Sequence, residues 1–325
     1  MYINKIGINI IKWVTPLLLA MSFSSPAFAC PNYPCKPIRL VVPYETGGGI
    51  DSTARALAQV FRTRLKAEVV VMNKPGALGA IGTSSVASSP NDGYTLLVTA
   101  VNHVATAVLS ERPLYDAIQD FAPIAKITDG PHILLVNGEL PVNNAADLAR
   151  LARQRPQGLT FANTGSATLL AAESFKQRSG GKWLPIPYKG SAQAMLSTIT
   201  GETDVVFVGS QLALTALEGG RVKALAISSP KRVDYLPSVP TLRELGFDDV
   251  DSSQWYGILA PAGTPVAVIE ILDKAIRQEL VPDGILQKFI QTSRLETAYL
   301  GRPDFKVFLQ EQAKRIKQLN IDVNN

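Results

Sequence analysis

Three consecutive glycines, Gly47-Gly48-Gly49, stand between an apolar run that ends at Pro43 and a helical pattern that begins near Ser52. Glycine lets backbone N–H groups come close to a ligand. The first N–H groups of a helix lack partners within it, and the helix dipole adds partial positive charge there. Strand, glycine loop and helix start therefore make a seat for an anion. The same spacing also fits a tight strand-to-helix turn that holds nothing. Asp51 either caps this helix by accepting loop N–H bonds or touches the ligand. A second candidate is Asn163-Thr164-Gly165-Ser166, a capping sequence whose hydroxyls also suit a carboxylate. Asn102 and His103 follow a strand, and cleft residues collect at strand carboxyl ends. Lys189 carries a charge able to neutralise a carboxylate. Together these residues support capture of a carboxylate, with nothing done to it chemically.

The parts that other chemistries need are missing. No Gly-x-Ser-x-Gly elbow is present, and only His103 and His132 could serve as imidazole bases, which disfavours a hydrolase. Gly181-Lys182 is followed by Trp183, so no Walker pattern forms. The turn from Asn73 to Gly82 has glycines at 76, 79 and 82 but no convincing acidic partner about 20 positions on, so loop geometry explains it better than a dinucleotide. Two cysteines and two histidines match no zinc spacing, and no metal or cofactor is expected. The formal charge is +5, but Lys and Arg are scattered, which argues against nucleic acid.

The elements that must position these residues alternate. Ile38 to Pro43, Glu68 to Met72 and Thr95 to Thr99 read as strands, with helices at Ser52 to Leu65 and through Val86. This predicts an α/β fold with a mostly parallel sheet. Phe121 to Ile127 and Ile133 to Val136 are apolar runs joined by Thr128-Asp129-Gly130-Pro131, read as a crossing between lobes. A second α/β series follows from Ala145 to Ile227, and Ser253 to Leu259 reads as the return crossing. Trp255 and Tyr256 fit hinge packing better than a cleft wall. Amphipathic helices at Pro265 to Leu280 and Pro303 to Leu319 would pack back on the first lobe.

The first 29 residues read as a signal peptide, with Lys5 and Lys12, an apolar stretch from Trp13 to Phe23, and Ala27-Phe28-Ala29 as the cleavage site. That stretch is shorter than the roughly 20 apolar residues of a membrane span. An exported chain is expected, located in the periplasm. Cys30 and Cys35 would pair in an oxidising compartment, or Cys30 would be the lipidated first residue of a lipoprotein. The expected domains are lobe one at 30–128 plus 253–325 and lobe two at 129–252.

Several segments in order resemble the Bug family of periplasmic solute-binding proteins, receptors of tripartite tricarboxylate transporters. They include Lys36-Pro37-Ile38-Arg39-Leu40-Val41-Val42-Pro43-Tyr44 with Gly47 to Asp51, Asn73-Lys74-Pro75-Gly76-Ala77, and Pro90-Asn91-Asp92-Gly93-Tyr94-Thr95. Pro187-Tyr188-Lys189-Gly190-Ser191, Trp255-Tyr256-Gly257 and Ala260-Pro261-Ala262-Gly263-Thr264-Pro265 follow. The resemblance implies a two-lobed Venus-flytrap fold of type II-like form, with two interlobe crossings. It implies a monomer that holds a small carboxylate and hands it to the membrane subunits of a transporter. The implied ligand-binding residues are Tyr44, Thr46, Gly47, Gly48, Gly49 and Asp51 from lobe one. Thr164, Gly165, Ser166, Ala167, Tyr188, Lys189 and Gly190 come from lobe two. This chain departs from the family at Glu45-Thr46, at Ala167 to Leu170, and at Val208, which stands where many relatives carry Asp. Val208 argues against an amino-acid ligand and suits an aromatic or aliphatic acid. A ligand-sensing subunit for a sensor kinase would use the same closure.

Overall fold

The computed structural model describes residues 32–229, 231–247 and 254–318. The signal segment, Cys30 and Ser253 lie outside the described residues. Cys35 is disulfide-bonded. In chain order the first elements are β1 (Ile38–Val42), α1 (Gly49–Leu65), β2 (Val69–Asn73), α2 (Ala80–Ala87), β3 (Thr95–Ala100), α3 (Asn102–Leu109), β4 (Phe121–Gly130) and β5 (His132–Asn137). Then come α4 (Ala145–Gln154), β6 (Leu159–Asn163), α5 (Ser166–Ser179), β7 (Trp183–Pro187), α6 (Ser191–Thr200), β8 (Val205–Gly209), α7 (Ser210–Glu218) and β9 (Val222–Ile227). The last are β10 (Gln254–Pro261), α8 (Val266–Arg277), α9 (Ile285–Thr292), β11 (Glu296–Gly301) and α10 (Arg302–Gln318).

Two sheets result, a six-stranded one ordered β11-β4-β10-β3-β1-β2 and a five-stranded one ordered β7-β6-β8-β5-β9. The apolar, β-branched runs of β1, β3, β5 and β8 are buried almost throughout, as expected for strands covered on both faces. Ile38, Leu40, Val42, Leu96, Val98 and Ile258 pack with Leu57 and Phe61 of α1 on one face of the first sheet. Leu134, Phe161, Phe175, Trp183 and Phe207 build a separate core on the second.

The sheets are not mostly parallel. β1 runs parallel to β2 and β3, and β6 parallel to β7 and β8. β10 is antiparallel to both β3 and β4, β11 to β4, and β5 to both β8 and β9. The reason is the double crossing: a chain that leaves one sheet and returns later enters each sheet from the opposite end. The first crossing is also tighter than the sequence implied. β4 continues through Thr128 and Asp129 to Gly130, paired residue by residue with β10, and only Pro131 separates it from β5. Proline has no N–H to donate to a ladder, so the strand ends there and the chain passes to the other sheet. The Lys126 ammonium, 2.7 Å from the Asp129 carboxylate, braces the end of β4.

Three elements have no local signal in the sequence. α3 is rich in small and β-branched residues with no side-chain cap, α9 is a short helix, and β11 is a partly exposed edge strand. Tertiary packing decides all three.

Candidate functional site

A cavity of about 630 Å³ lies between the two sheets, walled by residues from both. Its first wall is the glycine loop. The helix begins at Gly49 rather than near Ser52, with Gly48 as its cap residue and no side-chain cap bond. Asp51 explains the earlier start. It is only 3 % exposed, and its carboxylate accepts the Gly47 N–H at 3.1 Å, the Arg55 guanidinium at 2.9 and 3.1 Å, and the Asn73 amide at 3.1 Å. Asn73 also donates to the Tyr44 carbonyl at 3.0 Å. The carboxylate thus folds the loop back over the helix start, and the first N–H groups of α1 stay uncapped at the cavity. Burial pushes the Asp51 pKa up, but the bonds from Arg55, Gly47 and Asn73 outweigh it and hold it below its ordinary value.

The opposite wall repeats this arrangement. α5, α6 and α7 start behind Gly165, Gly190 and Gly209, and none of these helices has a side-chain cap bond. α4, which does not border the cavity, is capped normally: Asn144 accepts from the Asp147 N–H at 2.8 Å. Side-chain caps are also missing at α2, α3, α8 and α9, so what marks α1, α6 and α7 is that their glycine-capped starts open on the cavity. Lys189 through Gln193 and Gly209 through Leu212 border the cavity directly. At α5 the loop is knitted internally: Asn163 Oδ1 accepts from Gly165 N–H at 3.0 Å and from the Thr168 hydroxyl at 2.8 Å.

Tyr44, Thr46, Gly47, Gly48, Gly49, Asp51, Asn102, Thr164, Lys189, Gly190 and Val208 all border the cavity. Gly165 does not border it, but it packs near the Asn102 amide and the Tyr44 ring, where the lobes meet. Ser166 and Ala167 form the first turn of α5. Tyr188 packs among the apolar residues behind β8, and its buried hydroxyl has no partner among the described residues. His103 is also away from the cavity, only 1 % exposed. Its ring stacks on Tyr115 and meets Phe121 edge-on, and Nε2–H donates to the Ala117 carbonyl at 2.8 Å. Tyr256, for which the sequence favoured hinge packing over a cleft wall, lines the hinge side of the cavity, together with Gln254, Phe289, Ser293 and Leu295, of which local sequence gave no hint. They come from the return strand and from α9 with the turn after it, and only Tyr256 lies in a segment the sequence singled out.

His103 makes a measurable prediction. Burial pushes its pKa from the ordinary 6.5 down to about 4, against the pull of the Ala117 carbonyl and Asp116. Nδ1 has no partner among the described residues, so a second proton would be buried without an acceptor there. The unfolded chain takes up that proton below pH 6.5 and the folded chain does not. Stability contributed by this group is therefore full above 6.5 and falls as pH drops toward 4, by about 2–3 kcal/mol at pH 4.5. Urea-unfolding free energies at pH 7 and pH 4.5 should fall more for the wild type than for His103→Gln. Equal falls would remove His103 as the cause.

Residues 53–324 match the sequence model of the tripartite tricarboxylate transporter family receptors (TctC). The chain belongs to this receptor family. Among its curated members, Protein BugT of Bordetella pertussis is 32 % identical over 289 residues, covering 87 % of this chain and 88 % of BugT. The periplasmic binding protein BugD superposes with a TM-score of 0.81 at 32 % identity, covering 88 % of this chain and 97 % of BugD. A Rhodopseudomonas palustris protein solved with adipate gives 0.82 at 29 % identity, covering 89 % of this chain and 97 % of that one. MatC of Rhodopseudomonas palustris, solved with bound malate, gives 0.79 at 25 % identity, covering 88 % and 99 %. TctC receptors are periplasmic solute-binding proteins and not enzymes, so the hydrolase alternative falls. Among the described residues no helix is long and apolar enough to cross a membrane.

Proposed function

We propose that this TctC receptor captures a small carboxylate between its lobes, 30–128 plus 253–325 and 129–252, and delivers it unaltered to the membrane subunits of a tripartite transporter. The observation that carries this reading is the cavity itself, onto which helix starts from both sheets open with glycine caps and no side-chain acceptors. Unfilled N–H groups and converging helix dipoles favour an anion, and among the lining residues only Lys189 carries a fixed positive charge. Backbone N–H groups hold an anion without a compensating side chain that would have to desolvate. That suits a receptor that must later let go. Adipate and malate in the related structures support the carboxylate class. Val208 in the wall, where a carboxylate could have paired with an ammonium, favours a ligand without an ammonium on that side and with an apolar portion.

Closure about the two crossings would bury the bound anion. The test is thermal unfolding of the purified protein with a panel of aliphatic and aromatic acids, beside sugars and amines. One acid or more should raise the melting temperature, equivalent to about 2.7 kcal/mol at a hundredfold excess over Kd. Sugars and amines should leave it unmoved. A rise with amines and none with any acid would refute the reading.

A further inference from the structure

Tyr256 is the middle residue of Trp255-Tyr256-Gly257 on β10. Its ring belongs to the core of the first sheet and the residue is 4 % exposed, yet it borders the cavity. Its hydroxyl lies against Gly49, the first residue of α1, so closely that a Cβ on Gly49 would collide with it. The third glycine is therefore required by this phenol and not only by the turn. Among the described residues the hydroxyl has no hydrogen-bond partner. Tyr115, buried in the core, donates to the His103 carbonyl at 2.8 Å, and the part-buried Tyr33 and Tyr44 donate to the Gly93 and Leu78 carbonyls at 2.7 and 2.8 Å; Tyr188, away from the cavity, is the other phenol without a partner among the described residues. What sets Tyr256 apart is its place: of these two phenols without a protein acceptor, it is the one that borders the cavity, against the start of α1.

We infer that the Tyr256 hydroxyl is a ligand contact, donating a hydrogen bond to a carboxylate oxygen seated against Gly49 at the start of α1. This rests on the carboxylate-binding reading above. Burial pushes the phenol pKa upward, so it keeps its proton and acts as a donor to an anion. Tyr256 stands at the carboxylate from the hinge side, while the α1 N–H groups meet it from the loop side. A donor whose other options are closed off discriminates for a strongly accepting, charged oxygen over an uncharged one, because hydrogen bonds to charged groups are the stronger ones.

The test is isothermal titration of the wild type and Tyr256→Phe with adipate, malate, glutarate and benzoate, and with the monoamide of whichever acid binds best. Phe keeps the ring in the core. The expected result is an affinity loss of about 10- to 100-fold for the acid end in Tyr256→Phe, as for removal of a bond to a charged acceptor. The loss for the monoamide should be several-fold smaller. The ligand-free melting temperature should stay the same or rise, the opposite of what loss of a structural hydroxyl bond gives. Equal affinities in wild type and variant would overturn the inference and leave the carboxylate reading standing. A wild type that binds none of the acids would overturn both.

Discussion

Replacing Gly190 with tryptophan should abolish carboxylate binding while leaving the protein folded. Gly190 caps α6 with φ −165° and ψ 161°, extended backbone that any residue adopts. A Cβ there meets nothing within 4 Å, and the residue borders the cavity. A large side chain at this point therefore has somewhere to go, and that place is the space a ligand would occupy. It would also cover the uncapped N–H groups of Ser191, Ala192 and Gln193. The folding cost is limited to exchanging glycine for a poorer cap residue, about 1 kcal/mol or less. Gly48→Trp makes the same test from the other lobe, since φ there is −85° and its Cβ direction is also open. Calorimetry should show at least about a hundredfold weaker binding in each variant, a loss of roughly 2.7 kcal/mol or more. Circular dichroism and ligand-free melting should change little. Wild-type affinity in Gly190→Trp would remove α6 from the site; the same result in Gly48→Trp would remove α1. The pair thus asks whether both lobes grip the ligand, which a single variant cannot.

What was legible in the sequence was the part carried by local chemistry. Gly47 to Gly49, Lys189-Gly190 and Thr164 border the cavity because glycine-rich strand-to-helix turns are short and read directly from residue types. The apolar runs of β1, β3, β5 and β8 announced themselves in the same way. Of the hinge-side wall the sequence offered only Tyr256, and that as packing rather than as a wall. Gln254 and Tyr256 sit there because β10 returns antiparallel between β3 and β4, an arrangement set by pairing over long sequence distances. Phe289 and Leu295 arrive with α9 and the turn after it, whose placement depends on packing against α1. His103 shows the converse error. Its position after a strand end suggested the cleft, but α3 begins at Asn102 and its first turn carries the two side chains apart. Asn102 borders the cavity while His103 turns inward to Tyr115 and Phe121. One residue along a helix is about 100° of rotation, enough to exchange a ligand wall for a core.

The other large effect is expected at Asp51, the residue for which sequence left a capping and a ligand-contacting role open. The carboxylate faces its own loop: Gly47, Arg55 and Asn73 occupy it. Asp51→Ala removes every one of these bonds at once. Arg55 is free to turn to solvent, but the Gly47 N–H and the Asn73 amide lose an acceptor in a part-buried place. Hydrogen bonds to a charged group are worth about 1.5–3 kcal/mol each and do not add fully, so a loss of about 3–5 kcal/mol in folding free energy is expected. Carboxylate affinity should fall too, because the loop then no longer holds the N–H groups of α1 toward the cavity. Asp51→Asn keeps an acceptor for Gly47 but gives up the charge that holds Arg55, and should lose about half as much. The pH dependence separates this from a packing defect. The folded carboxyl ionises below the ordinary value of 3.8, so its contribution is present above about pH 4 and disappears as pH falls through the lowered folded pKa. The stability gap between wild type and Asp51→Ala should therefore be constant from pH 7 to 5 and narrow below pH 4. Urea-unfolding midpoints across that range measure it. A gap that persists unchanged to pH 2, or an Asp51→Ala protein with wild-type stability and affinity, would mean that the triple-glycine seat is held by something other than this carboxylate.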